Sequence, residues 1–228
     1  MDSRNSPQPA ASLARLTFVR PIAECVLALL LLMAPVAGAK SVPESVEDRY
    51  NNIHSLKVEF EESVSYSGRS RRQERGTLYL LRPGKMRWEY SEPAGKLFVS
   101  DGKMLYLYSP NSNQVQRLKP KETEDLRAPL AFLLGKLNFQ KEFGKLTTSA
   151  TGDSIELTAQ ARSDQESYNQ AVFTIDPQSY QIRRIRVEGQ DGVVTEFVFT
   201  SETLNAPVTG ALFQFHAPPG AEIVEAGR

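Results

Sequence analysis

The 228-residue chain carries 27 basic and 27 acidic side chains, a balance that gives bulk electrostatics no reason to favour nucleic acid. Its one cysteine, Cys25, excludes a disulfide scaffold, and glycine and proline, at 14 each, sit in the range of an ordinary folded domain.

The apolar run VLALLLLMA, residues 26–34, follows a loosely basic leader and precedes Ala37-Gly38-Ala39, an A-x-A-like cleavage triplet. The run falls short of the roughly 20 residues that cross a bilayer comfortably. Residues 1–39 are therefore expected to be a cleaved signal peptide, with residues 40–228 forming a single exported domain. Removing the leader removes Cys25, so the mature chain would hold no thiolate nucleophile or metal ligand. Cys25 also lies before the apolar core rather than at the cleavage point, which argues against self-lipidation.

Residues 42–53 (VPESVEDRYNNI) read as a helix, with Pro43 in the first turn and Val46, Tyr50 and Ile53 as an apolar stripe. The period then changes to two. Leu56, Val58 and Phe60 alternate with Lys57, Glu59 and Glu61, the pattern of a strand with one apolar face. Ser67-Gly68 is a turn, a second strand covers residues 73–82, and Pro83-Gly84 breaks it. Strands follow at 85–90, 96–100, 104–108 and 114–118, with Asp101-Gly102 as a tight-hairpin signal. The charged stretch 119–127 leads into Pro129 and the apolar run 130–135, readable either as a short helical lid or as a buried strand. Further strands fall at 143–148, 154–159, 169–175, 181–188 and 193–201. The pattern predicts a mainly β fold of about eleven strands, predominantly antiparallel because the connections are short.

Such a sheet must curl, close or split to bury an apolar face. Leu78 and Leu80 share a side of their strand, as do Met86, Trp88 and Tyr90, and as do Met104 and Tyr106. Alternation alone does not separate a filled core from a cavity that accepts acyl chains. Arg82 continues the face of Leu78 and Leu80, so it is either a rim arginine or a latch between sheet and lid, its guanidinium donating to backbone carbonyls. Arg69, Arg71, Arg72 and Arg75 form the local basic cluster, a solvated hairpin or a patch for acidic partners or an anionic membrane. His54 and His216 belong to no compact ligand pattern, and Ser100-Asp101 is explained by its turn. G-x-S-x-G and Walker motifs are missing from the sequence, so no enzyme chemistry, metal or cofactor is expected.

The segment GTLYLLRPGKMRWEY, residues 76–90, resembles the LolA family of periplasmic outer-membrane lipoprotein carriers. The likeness continues through Glu92-Pro93, VSDGK at 99–103 and LYLY at 105–108. It returns in PLAFLL at 129–134, FQF at 213–215 and PPG at 218–220. The resemblance implies a strongly curved, unclosed antiparallel β-barrel with a short helical lid. Its apolar surface would hold the acyl chains of lipoproteins crossing the periplasm, with Leu78, Leu80, Met86, Trp88, Tyr90, Met104 and Tyr106 as lining. By position, Arg82 matches the family's lid-latching arginine, and Leu130, Phe132, Leu133 and Leu134 match the lid. The implied partners are lipidated lipoproteins, an ATP-driven inner-membrane release complex and an outer-membrane acceptor, engaged by a monomer. The alternative within the same fold is a carrier or sensor of another lipid or glycolipid.

Overall fold

The computed structural model describes residues 40–119 and 136–225, except the side chains of Ser70 and Arg71. The first element is helix α1, Val42–Asn51. A capping box starts it: the Ser41 hydroxyl accepts from the Glu44 N–H, and the Glu44 carboxylate accepts from the Ser41 N–H at 2.8 Å. Pro43 fits the first turn, where its missing N–H costs no helical bond.

Strands β1 (Ser55–Tyr66) and β2 (Arg69–Leu81) form a long hairpin. Next come β3 (Lys85–Glu92), β4 (Leu97–Asp101), β5 (Leu105–Ser109) and β6 (Gln114–Leu118), each antiparallel to its predecessor. Helix α2 (Phe139–Glu142) precedes a second meander. It runs through β7 (Leu146–Thr151), β8 (Ser154–Gln160), β9 (Tyr168–Ile175), β10 (Ile182–Gly189) and β11 (Val193–Leu204). A 3-10 turn at Gly210–Phe213 leads to β12, Glu222–Glu225.

All twelve strands belong to one sheet, in the order β12-β6-β5-β4-β3-β2-β1-β11-β10-β9-β8-β7. The two meanders join where β1 pairs with β11. The sheet is unclosed, as expected, but the strongly curved, wholly antiparallel barrel of about eleven strands is corrected. The order ends in two separate edges, β12 and β7, and β12 runs parallel to β6, so the sheet is open and mixed and is not curled into a barrel. The physical reason lies in the cover. Elements packed on both faces bury the apolar surface that strong curling would otherwise bury.

Directly paired residues point to the same side of a sheet, so the register defines the faces. The first face runs from Leu105 and Phe98 through Trp88, Leu78, Val58 and Phe197 to Ile185, Phe173 and Leu157. Helices α1 and α2 contribute Val46, Tyr50 and Phe139 to the same core. The second face holds a smaller cluster. There Val99 pairs with Tyr106, whose ring stacks on Phe215 at 4.8 Å, and Phe213 is buried beside β3 and β4.

Candidate functional site

Five of the seven sequence-predicted lining residues come together on the first face. Leu78 lies opposite Trp88 and Leu80 opposite Met86, with Tyr90 one step further along β3, and all five are buried. Trp88 has no solvent exposure, and its ring meets Phe60 edge-on at 4.7 Å and Phe197 at 5.4 Å. Gly76 explains how Phe60 and Tyr90 reach each other, with centroids 5.1 Å apart across β2. A Cβ on Gly76 would sit 2.2 Å from the Glu89 carbonyl oxygen, so only glycine lets β3 approach there.

The other two lining residues are not part of this group. Tyr106 pairs with Val99 and belongs to the second face, while Leu105 and Leu107 occupy the first. Met104 is half-buried in the turn before β5, where its N–H donates to the Asp101 carboxylate at 2.8 Å. Phe60, Phe98, Phe197 and Phe199, absent from the expected lining, take part in the core of the first face.

Arg82 follows the last residue of β2, and its guanidinium donates to the Tyr50 carbonyl of α1 at 3.0 Å. Partial burial holds its pKa below the ordinary arginine value. The described partner of this arginine is thus the last turn of α1. Leu130, Phe132, Leu133 and Leu134 lie outside the described residues.

Helix α1 is held by a polar network that the sequence reading did not identify. The Tyr50 hydroxyl donates to Glu202 at 2.8 Å and accepts from the Ile182 N–H at 3.0 Å. Arg49 forms an ion pair with the same carboxylate, which is almost entirely buried. Burial first, then the neighbouring Glu202 charge, pushes the Tyr50 phenol far above its usual pKa. Burial alone would lower Arg49, but the hydrogen bond and charge of Glu202 outweigh it and the net shift is upward.

Asn51 makes a two-way bridge to Leu137: its amide donates to the Leu137 carbonyl at 2.8 Å and accepts from the Leu137 N–H at 2.7 Å. Glu47 accepts from the Phe139 N–H at 2.7 Å. One helix thereby fixes the end of β2, the start of β10 and the segment entering α2. Between α1 and the sheet lies a crevice lined by Leu56, Val58, Leu78, Ile182, Ile185 and Phe199, with Tyr50 and Glu202 at its polar margin. Its volume is about 20 Å³, room for about one water.

A second buried polar group sits further along the first face. Glu62 and Glu74 are cross-strand partners. The Tyr90 hydroxyl donates to Glu62 at 2.8 Å, and Lys96 forms an ion pair with Glu74 while lying 4.1 Å above the Tyr90 ring. Among the described residues, no cluster of three or more His, Cys, Asp or Glu side chains could hold a metal ion.

Comparison with known proteins matches residues 51–216 to a family model described as outer membrane lipoprotein carrier protein LolA. An outer-membrane lipoprotein carrier protein of Chromohalobacter salexigens is 26% identical, over 87% of this chain and 91% of its own. Another, of Dechloromonas aromatica, is also 26% identical, over 92% of this chain and 99% of its own. The crystal structure of an uncharacterized conserved protein from Thermus thermophilus superposes with a TM-score of 0.51 at 12% identity. That likeness covers 81% of this chain and 99% of the other, and it speaks to fold alone. The chain belongs to the LolA family of outer membrane lipoprotein carriers, periplasmic proteins that work with lipoproteins and outer-membrane partners as carriers rather than enzymes.

Proposed function

We propose that the first face of the sheet takes up the acyl chains of lipoproteins released from the inner membrane by an ATP-driven complex and gives them to an outer-membrane acceptor. The observation that carries this reading is the apolar crevice between α1 and the sheet, bounded by Leu56, Val58, Leu78 and Phe199 and closed at its margin by Tyr50 and Glu202. At about 20 Å³ it is far too small for an acyl chain, so binding requires α1 to lift from the sheet.

Magnitudes favour that exchange. Each buried methylene contributes about 0.8 kcal/mol, so ten of them supply about 8 kcal/mol. The hydrogen bonds from Tyr50 and Asn51 that open with α1 are worth about 1 kcal/mol each. Acyl insertion therefore offsets their loss, and the bonds re-form when the chain leaves. Trp88, Met86, Leu78, Leu80 and Tyr90 form the floor of the site. Arg82 acts as the latch that returns α1 to the sheet. Residues 1–39 serve as a cleaved signal peptide, leaving residues 40–228 as a monomeric carrier domain.

The test is recovery of the protein from native cell envelope, followed by identification of what it holds. Triacylated lipoprotein in a 1:1 soluble complex supports the reading. Recovery of free lipid or glycolipid in its place contradicts it.

A further inference from the structure

We propose that the tip of the β1–β2 hairpin is a docking surface for anionic phospholipid membranes. The hairpin reverses at Ser67 and Gly68, both with positive φ, and sets Tyr66 opposite Arg69. Strand β2 extends past its neighbour, because β3 pairs only with the stretch from Arg75 to Leu81. The part of β2 from Arg69 to Glu74 therefore extends beyond β3, while β1 stays paired with β11 as far as Tyr66 and Val193, so the tip lies beside the β10–β11 turn with its β3 side uncovered.

The tip itself, short of Glu74, has one sign of charge. Between Ser63 and Gln73 the sequence holds Arg69, Arg71 and Arg72 and no acidic residue. Arg72 meets Glu74 at 3.2 Å, and Lys96 also pairs with that carboxylate, so the base of the tip is fixed while the Arg72 side chain stays 56% exposed. Asp191, in the neighbouring β10–β11 turn, accepts from the Val193 N–H at 2.9 Å.

Tyr66 completes the chemistry. At 41% exposed it is one of two large hydrophobic residues left in solvent among the described residues, the other being Ile223 on β12. Its ring rests against the backbone of Gly192, where an added Cβ would come within 3.5 Å of the ring. A seated ring with a polar end, flanked by guanidinium groups, matches the chemistry of a headgroup layer, where tyrosine and arginine place apolar parts inward and polar parts outward. A specific protein interface needs roughly 800 Å² of complementary surface per partner, whereas a lipid surface needs no complementary shape. The charge complement of this convex, cationic, aromatic tip is therefore an anionic bilayer. The proposal goes beyond acyl-chain carriage and does not depend on what the first face carries.

The experiment is co-sedimentation of the lipid-free protein with vesicles of phosphatidylethanolamine and phosphatidylglycerol, with neutral phosphatidylcholine vesicles as comparison. The protein is expected to bind the anionic vesicles and to lose that binding in high salt. Arg69→Gln should weaken it about fivefold, and Arg69→Gln with Arg72→Gln about 25-fold. Tyr66→Ser, which removes the ring seated on Gly192, should weaken it as well. Cargo uptake, measured in parallel, should be unchanged in all three variants, which separates this proposal from the carrier reading. Equal binding to neutral vesicles, or variants that bind anionic vesicles like the unmodified protein, would overturn it. So would capture of the tip by an acidic polypeptide without any vesicle binding.

Discussion

Among the described residues, two helical segments lie against the same apolar face, and different chemistry holds each one. Over β9 the contact is aromatic: Phe139 meets Phe173 edge-on at 5.2 Å, and Phe143 reaches Phe173 at 5.7 Å and Tyr168 at 6.3 Å. Over β1, β2 and β10 the contact is fastened at its margin by Tyr50, Glu202, Arg49 and Asn51, above a narrow apolar crevice. Close-packed rings resist separation because every displaced atom loses its neighbours at once. A polar margin over an apolar crevice can part and re-form, since water satisfies the opened groups and a guest fills the space. On the proposed mechanism, α1 is therefore the element that opens, taking Val46 and Tyr50 with it, while α2 stays in place.

Substitutions can break that contrast, and the largest effect belongs to the aromatic side. Phe173→Ala should lower stability to urea by about 3–5 kcal/mol, because the buried ring leaves a cavity among Phe139 and Phe143. Tyr50→Phe should cost about 1–3 kcal/mol, since the Ile182 N–H and the buried Glu202 each lose a partner. The two variants should also differ in pH response. A phenol whose folded pKa is raised gives stability that is complete below its unfolded value and lost as pH rises beyond it. Stability should therefore fall above pH 10, the ordinary tyrosine value, and Tyr50→Phe should shrink that fall. Tyr168, pushed up to about 12 by burial, should sustain the remainder in the Tyr50→Phe protein.

Arg82→Leu should act on function more than on the fold. Its guanidinium reaches the Tyr50 carbonyl of α1 from beyond the end of β2, outside the strand ladder, so the sheet should survive while cargo release to an acceptor slows. Unchanged release kinetics would remove Arg82 from the proposed opening of α1. The smallest effect is expected at the helix start. Ser41→Ala deletes the capping box and should cost about 1 kcal/mol, visible as faster amide exchange in the first turn of α1.

The strands were legible because their alternation is local, and eleven of the predicted stretches fall on β1–β11. Strand β12 was not: EIVE is four residues long, exposed on most positions, and finds its parallel partner β6 from far along the chain. Its omission left an all-antiparallel count of eleven strands, and the expected strong curvature is what the flatter, mixed sheet replaces. Facing was lost at β5, where LYLYS offers an apolar set on either side and a one-residue shift in parity moves Tyr106 to the second face. At Glu62 a signal was present. The pair Glu61-Glu62 interrupts alternation, so one of the two had to turn inward, and the structure buries Glu62 under the Tyr90 hydroxyl. No comparable signal marked Glu202, whose partners Arg49 and Tyr50 lie on a helix far earlier in the sequence.

Trp88 is the only tryptophan in the chain and is fully buried on the first face, so its emission reports on that face alone. The most direct measurement is fluorescence during titration with a lipopeptide whose acyl chains carry bromine, a quencher that acts at contact distance. Entry of the chains onto the first face should quench Trp88, and the same peptide without lipid should leave it bright. A saturated 1:1 complex in which Trp88 keeps its full emission would contradict acyl binding on this face.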